Sequence, residues 1–258
     1  MKKTVVSLSF DDGREDTIRN AFSIMNKYGL KATVHITTGF VDGTWDGHKW
    51  DSCDKAMTVA DAVQMHNSGF EISLHGDKHK TEIDDFLISK KKLKSWGISV
   101  ENIGFSIPNS DLNDTQRTEF TTFLKNEGVL YMRGGRNAKC YSFVSKCFFA
   151  LYKIFKFQFA YNLFNKYNRN INYDKYDLNS VVVRNEDKAK TVIRFIEKYK
   201  NDSWIILMLH SVLSKNEEKY GSDAWYWDSE EFETLCKYLS QAQSNGKIEV
   251  KTIIDNIN

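Results

Sequence analysis

The chain has 258 residues, 41% of them hydrophobic and 14% aromatic, enough to bury the core of one domain. Its 36 Lys and Arg against 34 Asp and Glu leave a formal charge of +2, so no basic field is available to hold a nucleic acid by counterion release. Cys53, Cys140, Cys147 and Cys236 show no C-x-x-C or zinc-finger spacing, and a chain of this size does not need disulfide staples, so reduced thiols are expected.

After Met1-Lys2-Lys3 the sequence runs straight into Thr4 to Phe10, an apolar run too short and too quickly charged for a signal peptide. No stretch approaches a membrane span. With Met1 as the natural start, a cytoplasmic protein is expected. Thr4 to Phe10 reads as a strand, Glu15 to Tyr28 as a helix ended by Gly29, and Lys31 to Thr37 as a second strand. A long loop follows, with Gly39, Gly43, Gly47, Trp45 and Trp50, until Thr58 N-caps a helix running to about Ser68. Gly69 closes it, Phe70 to Leu74 is a third strand, and His75 lies just past its end.

Asp84 to Leu93 reads as a helix and Asn102 to Ser106 as a short strand stopped by Pro108, the single proline. Thr115 to Asn126 is a helix, and Val129 to Met132 a strand leading to Arg133-Gly134-Gly135-Arg136. From Tyr141 to Asn170 the composition shifts to aromatics with scattered Lys and Arg and no acid, which marks a helical insertion over 137–178. The pattern resumes with Ser180 to Val183, a helix from Lys188 to Lys200, and the strand Trp204 to Leu209 ending on His210. Asp228 and Glu231 have capping-box spacing for a helix to Ala242, and Ile248 to Thr252 is the last strand. Strands alternating with helices predict a parallel sheet of βα units in a single domain over 1–258.

In such folds functional groups collect at the C-terminal ends of strands. Three ends carry candidates: Asp11-Asp12, His75 with His79, and His210. Adjacent carboxylates repel unless a cation neutralises one, so a divalent metal is implied. The spacing of four in His75-Gly76-Asp77-Lys78-His79 would place both imidazoles on one side of a helical turn, as two ligands require. Asp12 supplies a third, oxygen ligand. Two imidazoles and a carboxylate leave positions open for water and a substrate oxygen, which is a hydrolase's arrangement. Zinc is the first expectation from the imidazoles, and cobalt, nickel or iron also suit the set.

Ser9-Phe10-Asp11-Asp12-Gly13, the His75/His79 pair and Leu207-Met208-Leu209-His210 resemble the first, second and last motifs of the polysaccharide deacetylase family, the NodB-homology fold. Lys31-Ala32-Thr33 and Met57-Thr58 fall at similar spacing, and the likeness covers roughly residues 4–136 and 180–255. It implies a distorted (β/α) barrel of seven or so parallel strands. It also implies metal ligation by Asp12, His75 and His79, Asp11 as the general base towards water, and His210 as the general acid towards the leaving amine. A backbone N–H after Pro108, near Asn109, would help hold the oxyanion. The implied reaction removes an N-acetyl or other N-acyl group from a sugar, in cell-surface polysaccharide biosynthesis or modification. Relatives of this fold also remove formyl groups or open cyclic imides.

Two family features are absent. Where the third motif presents an arginine beside the base, this sequence has Phe105-Ser106-Ile107-Pro108-Asn109, with Ser106 in the arginine's place. The acidic and tryptophan pair of the fourth motif is missing near Met132-Arg133-Gly134-Gly135. Arg133, arriving on the next strand, can take over the charge beside Asp11 because strand ends converge on one rim; the alternative is a pairing with a loop carboxylate. A degenerate carbohydrate- or lipid-linked-glycan-binding protein is the competing function.

The segment 141–170 fits an interfacial helix on anionic lipid, with peripheral contact at the inner membrane face and a lipid-linked glycan as substrate. It equally fits rings packed on the barrel with lysines reaching outward. Trp45, Trp50, Trp225, Tyr226 and Trp227 fall in loops expected to face the site; Trp45 and Trp225 are the expected substrate contacts, and Trp227 is placed for a hydrophobic staple. Asp46 and His48 could reach the metal region, whereas His35 and His66 have no partner in sequence and are assigned no role.

Overall fold

The first three strands alternate large apolar residues with small or polar ones. On β1 (Thr4–Phe10) Val6, Leu8 and Phe10 alternate with Ser7 and Ser9. On β2 (Thr33–Ile36) Val34 and Ile36 alternate with Thr33 and His35, and on β3 (Glu71–Leu74) Ile72 and Leu74 alternate with Glu71 and Ser73. A period of two sends each set to its own face. The apolar set packs under the helices in the main core, with Phe86, Phe120, Phe195 and Phe232. The polar set points into the space that the sheet curls around. A computed structural model describes residues 3–46, 52–53, 55–110, 112–136, 138–199, 201 and 203–257.

The remaining strands are β4 (Gly104–Ser106), β5 (Tyr131–Arg133), β6 (Val181–Val182), β7 (Trp204–Leu209), β8 (Ser211–Leu213), β9 (Tyr226–Asp228) and β10 (Ile248–Val250). The main sheet runs β5-β4-β3-β2-β1-β7-β6, all pairings parallel. β1 pairs with β7 along Val5 to Phe10, and divides its other edge between β10, at Thr4 to Val6, and β2, at Ser9 and Phe10. The two ends of the sheet meet through the segment entering β6. Leu178 N donates to Met132 O (3.1 Å), Gly134 N to Leu178 O (2.8 Å) and Ser180 N to Gly135 O (2.9 Å). The result is the distorted parallel α/β barrel expected.

The helices are α1 (Ser23–Lys27), α2 (Thr38–Val41), α3 (Val59–Asn67), α4 (Ile83–Ser95), α5 (Asp114–Asn126), α6 (Phe143–Phe155), α7 (Gln158–Asn165), α8 (Ala189–Lys198), α9 (Ser229–Ser244) and α10 (Ile253–Ile257). Thr58 caps α3 in a reciprocal box with Asp61. The expected helix from Glu15 is wound as a π-helix over Thr17–Phe22 before α1. α2 and α10 arise in segments read as loop or terminus. The segment expected to be an insertion carries α6 and α7, and its inner side docks on α8: Gln158 Nε2 donates to Thr191 O (3.0 Å) and the Tyr161 and Phe195 rings meet edge to face at 5.7 Å. No helix among the described residues is long and apolar enough to cross a membrane. Cys53, Cys147 and Cys236 are free.

Two local expectations are corrected. Asp228 caps α9 by accepting from Glu230 N and Glu231 N, but Glu231 does not return the bond. Its carboxylate accepts from Ala189 N (2.8 Å) and pairs with Lys188, tying α9 to the start of α8. Tyr226 and Trp227 are strand rather than loop: β9 lies parallel to β8 in a separate two-stranded sheet. Trp227 is buried against Phe232, with 6.2 Å between ring centroids, at the positions a hydrophobic staple joins.

Beside a buried apolar cluster of Tyr131, Leu178, Trp204, Ile206 and Ile253, one side of the barrel interior is a polar column closed from below. Tyr131 crosses it so near to β4 that a Cβ on Gly104 would lie 1.9 Å from the ring, so only glycine fits there. The Tyr131 hydroxyl bonds to Glu71 and to His35 Nε2 (2.9 Å). Glu71 also accepts from Thr33 (2.6 Å), Ser73 (2.9 Å) and the N–H of Ile254 (2.9 Å), which fastens α10 across the floor. Buried polar groups persist when bonded in this way.

Candidate metal centre

Asp11 and Asp12 follow β1 directly, and Asp11 N donates to Leu209 O (3.1 Å), which sets them beside the end of β7. Asp12 adopts a left-handed backbone, φ 79°. His79 and Asn109 do the same, both at φ 55°. All three line one cleft of about 240 Å³ with Asp11, His75, Ile107, Arg133, Met208, His210 and Trp225. Left-handed non-glycine backbone is costly and persists where the surroundings enforce it, as at binding sites.

His75 and His79 converge on Asp12, but not through a helical turn as their spacing suggested. The chain loops through Gly76 at φ +80° around the carboxylate of Asp85, which accepts from the N–H groups of Asp77 (2.8 Å), Lys78 (2.8 Å) and Lys80 (3.2 Å). A Cβ on Gly76 would meet Asp85 Oδ2 at 2.3 Å. The imidazoles end 4.7 Å apart between centroids, with Nε2 of His75 and His79 at 3.5 and 3.6 Å from Asp12 Oδ1.

Among the described residues, Asp12, His75 and His79 are the group able to hold a metal, their donor atoms lying within 4.8 Å of one another. The surroundings fit that use. His75 Nδ1 lies 2.9 Å from the carbonyl of Ser106, so Nδ1–H donates there and Nε2 faces Asp12. Burial opposes protonation of the ring, but the Asp12 and Asp11 carboxylates outweigh it and raise its pKa, and a bound cation would take the place of the Nε2 proton. Burial, with the charge of His75 adding to it, pushes His79 down to about 4, which keeps it in the neutral form that ligates. Arg14, fully buried, donates to Asp12 Oδ2 (2.9 Å) and to Ser52 and Ser211 (2.9 and 3.0 Å). One carboxylate oxygen is thereby fixed and the other is left facing the imidazoles.

Arg133 reaches Asp11. Its Nη2 bonds to Asp11 Oδ1 and to the Ser106 hydroxyl, and its Nη1 to Ser180 Oγ (3.3 Å) and Met208 Sδ (2.9 Å). Burial opposes ionisation of Asp11, but the Arg133 guanidinium and the nearby His35 and His75 imidazoles outweigh it and hold the carboxyl well below the usual range. His35 Nδ1 is 3.6 Å from Asp11 Oδ1 and 3.2 Å from Ser9 Oγ. Burial pushes His35 down to about 4.

His210 sits across the cleft with the Trp225 ring against it, 4.8 Å between centroids and edge to face. Arg184 stacks on the outer side of Trp225 at 4.7 Å. His210 Nδ1 is buried without a hydrogen-bond partner among the described residues. Burial drives the ring down to about 4.

This geometry matches what the sequence of the barrel's first half encodes. The family described as "Polysaccharide deacetylase" matches residues 1–142, more than half of the chain. The chain belongs to the polysaccharide deacetylase family. No curated protein matches it. Among solved structures, this deacetylase-family chain is similar to the CE4 domain of a multidomain xylanase from the hindgut metagenome of Trinervitermes trinervoides, at 12% identity and TM-score 0.53, covering 99% of this chain and 90% of that one. A peptidoglycan deacetylase from Bacillus subtilis matches at 12% identity and TM-score 0.50, over 99% and 92% of the two chains. A CE4 family pseudoenzyme from Bacillus anthracis matches at 10% identity and TM-score 0.53, over 100% of this chain and 66% of its own. At such identities the likeness shows the fold.

Of the expected site residues, Asp11, Asp12, His75, His79, Arg133 and His210 of the deacetylase-family chain come together with Asn109 and Trp225. Trp45 and Pro108 do not line that cleft. Trp45 N bonds back to Gly39 O (2.9 Å), drawing the backbone of Trp45 to α2, while Pro108 borders a neighbouring depression with His79 and Asn109. Asp46 is exposed and outside the ligand group; His48 and Trp50 lie outside the described residues. Sequence reasoning passed over Arg14 and His35. Arg14 stands two residues after a ligand, and His35 shares its strand face with Thr33, a polar alternation that marks the barrel interior.

Proposed function

We propose that this protein is a metal-dependent hydrolase that removes an N-acetyl or other N-acyl group from a sugar during cell-surface polysaccharide biosynthesis or modification. The observation that carries the reading is the convergence of Asp12, His75 and His79 with Asp11 and His210 in one cleft. Asp12, His75 and His79 would hold one divalent ion, zinc first, with cobalt, nickel and iron compatible. When bound, the ion supplies Lewis acidity towards the acyl oxygen.

Asp11 takes a proton from the attacking water, and Arg133 keeps the carboxylate ionised and aimed. His210 gives a proton to the departing nitrogen, with Trp225 fixing its ring. The loop after Pro108 offers a backbone N–H to the developing oxyanion. A lipid-linked glycan is the substrate class we favour. Support comes from the aromatic insertion, which abuts the cleft rim: Phe149 of α6 lies 5.7 Å from the Arg184 guanidinium that stacks on Trp225.

A second reading, a glycan-binding protein whose deacetylase site has decayed, is favoured by the unpartnered Nδ1 of His210. A buried imidazole with no acidic partner is neutral near pH 7 and a poor proton store. Metal analysis of the purified protein combined with acetate release from N-acetylated oligosaccharides decides between the two. Turnover that vanishes in Asp11→Asn supports the hydrolase; bound metal without turnover on any N-acylated sugar supports the binding protein.

A further inference from the structure

The inner side of the α6–α7 segment is packed on the barrel, but its outer side carries large apolar groups that no described residue covers. On α6, Phe143, Cys147, Ala150 and Ile154 recur at intervals of four, three and four, which is one stripe of a helix, and all four are exposed. Phe143 is 82% and Ile154 71% accessible. Val144 and Phe155 widen the stripe on one flank, and Lys146 and Lys153 edge the other. Where α6 turns into α7, Phe155, Phe157 and Phe159 stack in a ladder, with centroids 5.4 and 5.6 Å apart, and each ring is about half exposed.

The electrostatic setting is one-sided. Between Glu127 and Asp174 there is no acidic residue, while Lys139, Lys146, Lys153, Lys156 and Lys166 are exposed. An apolar stripe rimmed by lysines, of which Lys153 faces the Glu186 carboxylate at 3.9 Å, complements an anionic bilayer, whose acyl region takes the rings and whose headgroups take the ammonium groups. A second copy of the chain complements it poorly, because a two-fold contact through this face would set lysines against lysines.

We propose that the outer face of α6 and the Phe155–Phe159 turn dock the protein on an anionic lipid surface. Docking there brings the cleft rim to the membrane, because α6 touches that rim through Phe149 and Arg184. The proposal does not depend on the hydrolytic reading: a glycan-binding protein with the same insertion would dock equally.

Flotation of the full chain with phosphatidylcholine vesicles, with and without phosphatidylglycerol, tests it. The expected result is binding to the anionic vesicles at low ionic strength, weakened by salt and absent with phosphatidylcholine alone. The double variants Ile154→Ser with Phe155→Ser, and Lys146→Glu with Lys156→Glu, should each lower partitioning about tenfold or more. Both pairs are surface changes, and an unaltered melting transition confirms that each variant is folded. The proposal is overturned if the native chain ignores anionic vesicles, if it binds and both folded variants bind as well, or if sedimentation shows a dimer that the serine variant dissolves.

Discussion

Arg133, the last residue of β5, bonds to Asp11, just past the end of β1, although three strands separate β5 from β1 in the sheet. The pair crosses the barrel mouth rather than running along the sheet. It brings a guanidinium beside the acidic pair from a strand other than the one bearing Ser106, whose hydroxyl makes a further contact to the same nitrogen.

Arg133→Ala should therefore leave Asp11 as a buried carboxylate without its cation. Breaking such a pair costs about 3–5 kcal/mol, so a lowered melting temperature is expected. Loss of the guanidinium also raises the Asp11 pKa, so under the proposed mechanism the acid limb of the activity profile moves to higher pH and kcat falls. Unchanged activity with an unchanged pH optimum would show that Arg133 has no part in the chemistry.

Arg14 holds the Asp12 oxygen that turns away from the imidazoles. Groups that orient a metal ligand change affinity by about 10–100-fold. Arg14→Gln should weaken zinc binding by that order in a chelator competition, whereas His79→Ala, which removes a donor, should weaken it further. Equal zinc affinity in the native and Arg14→Gln proteins would count against the ligand set.

Asp187 joins the insertion to the barrel by accepting from the Tyr152 hydroxyl (2.8 Å) and from Arg184 N (2.9 Å). Burial raises its pKa to about 6, against about 3.9 in an unfolded chain. The folded state thus holds the proton more tightly. Its contribution is most favourable below about pH 4, declines between about pH 4 and 6, and leaves a penalty of up to about 3 kcal/mol above that window. Asp187→Asn, which keeps an oxygen for Tyr152, should flatten the fall in urea-denaturation stability from pH 4 to 7. An identical pH slope in native and variant proteins would contradict the assignment.

Gly104→Ala places a methyl inside the Tyr131 ring. Overpacking typically costs about 1–3 kcal/mol, and so short a distance puts this change at the upper end or beyond. In a Tyr131→Ala background the same change should cost far less, and the double-mutant cycle reads the difference directly. Equal costs in both backgrounds would mean that the ring does not cross β4 as described.

The elements and the two acidic and imidazole motifs were legible because each is a local pattern. Thr4 to Phe10 shows a strand's alternation within seven residues, and Thr58 announces a helix start as an N-cap. The β8–β9 sheet was not legible, since strands of three residues carry too little periodicity. The helical turn assumed between His75 and His79 failed for a different reason: Asp85, six residues beyond, captures the loop's N–H groups and bends the chain another way.

By itself, the sequence determined that this is a parallel βα protein with an Asp-His-His triad able to hold a metal and an adjacent carboxylate at successive strand ends, because these follow from spacing along the chain and a motif likeness. Only the tertiary structure decided what faces what across the barrel. It brought Arg133 to Asp11, placed His35 beneath the same carboxylate, drew Trp45 away to Gly39, and left His210 Nδ1 without a partner among the described residues. Those distances depend on how far the sheet curls before its ends meet at Leu178, and no local periodicity records that curvature.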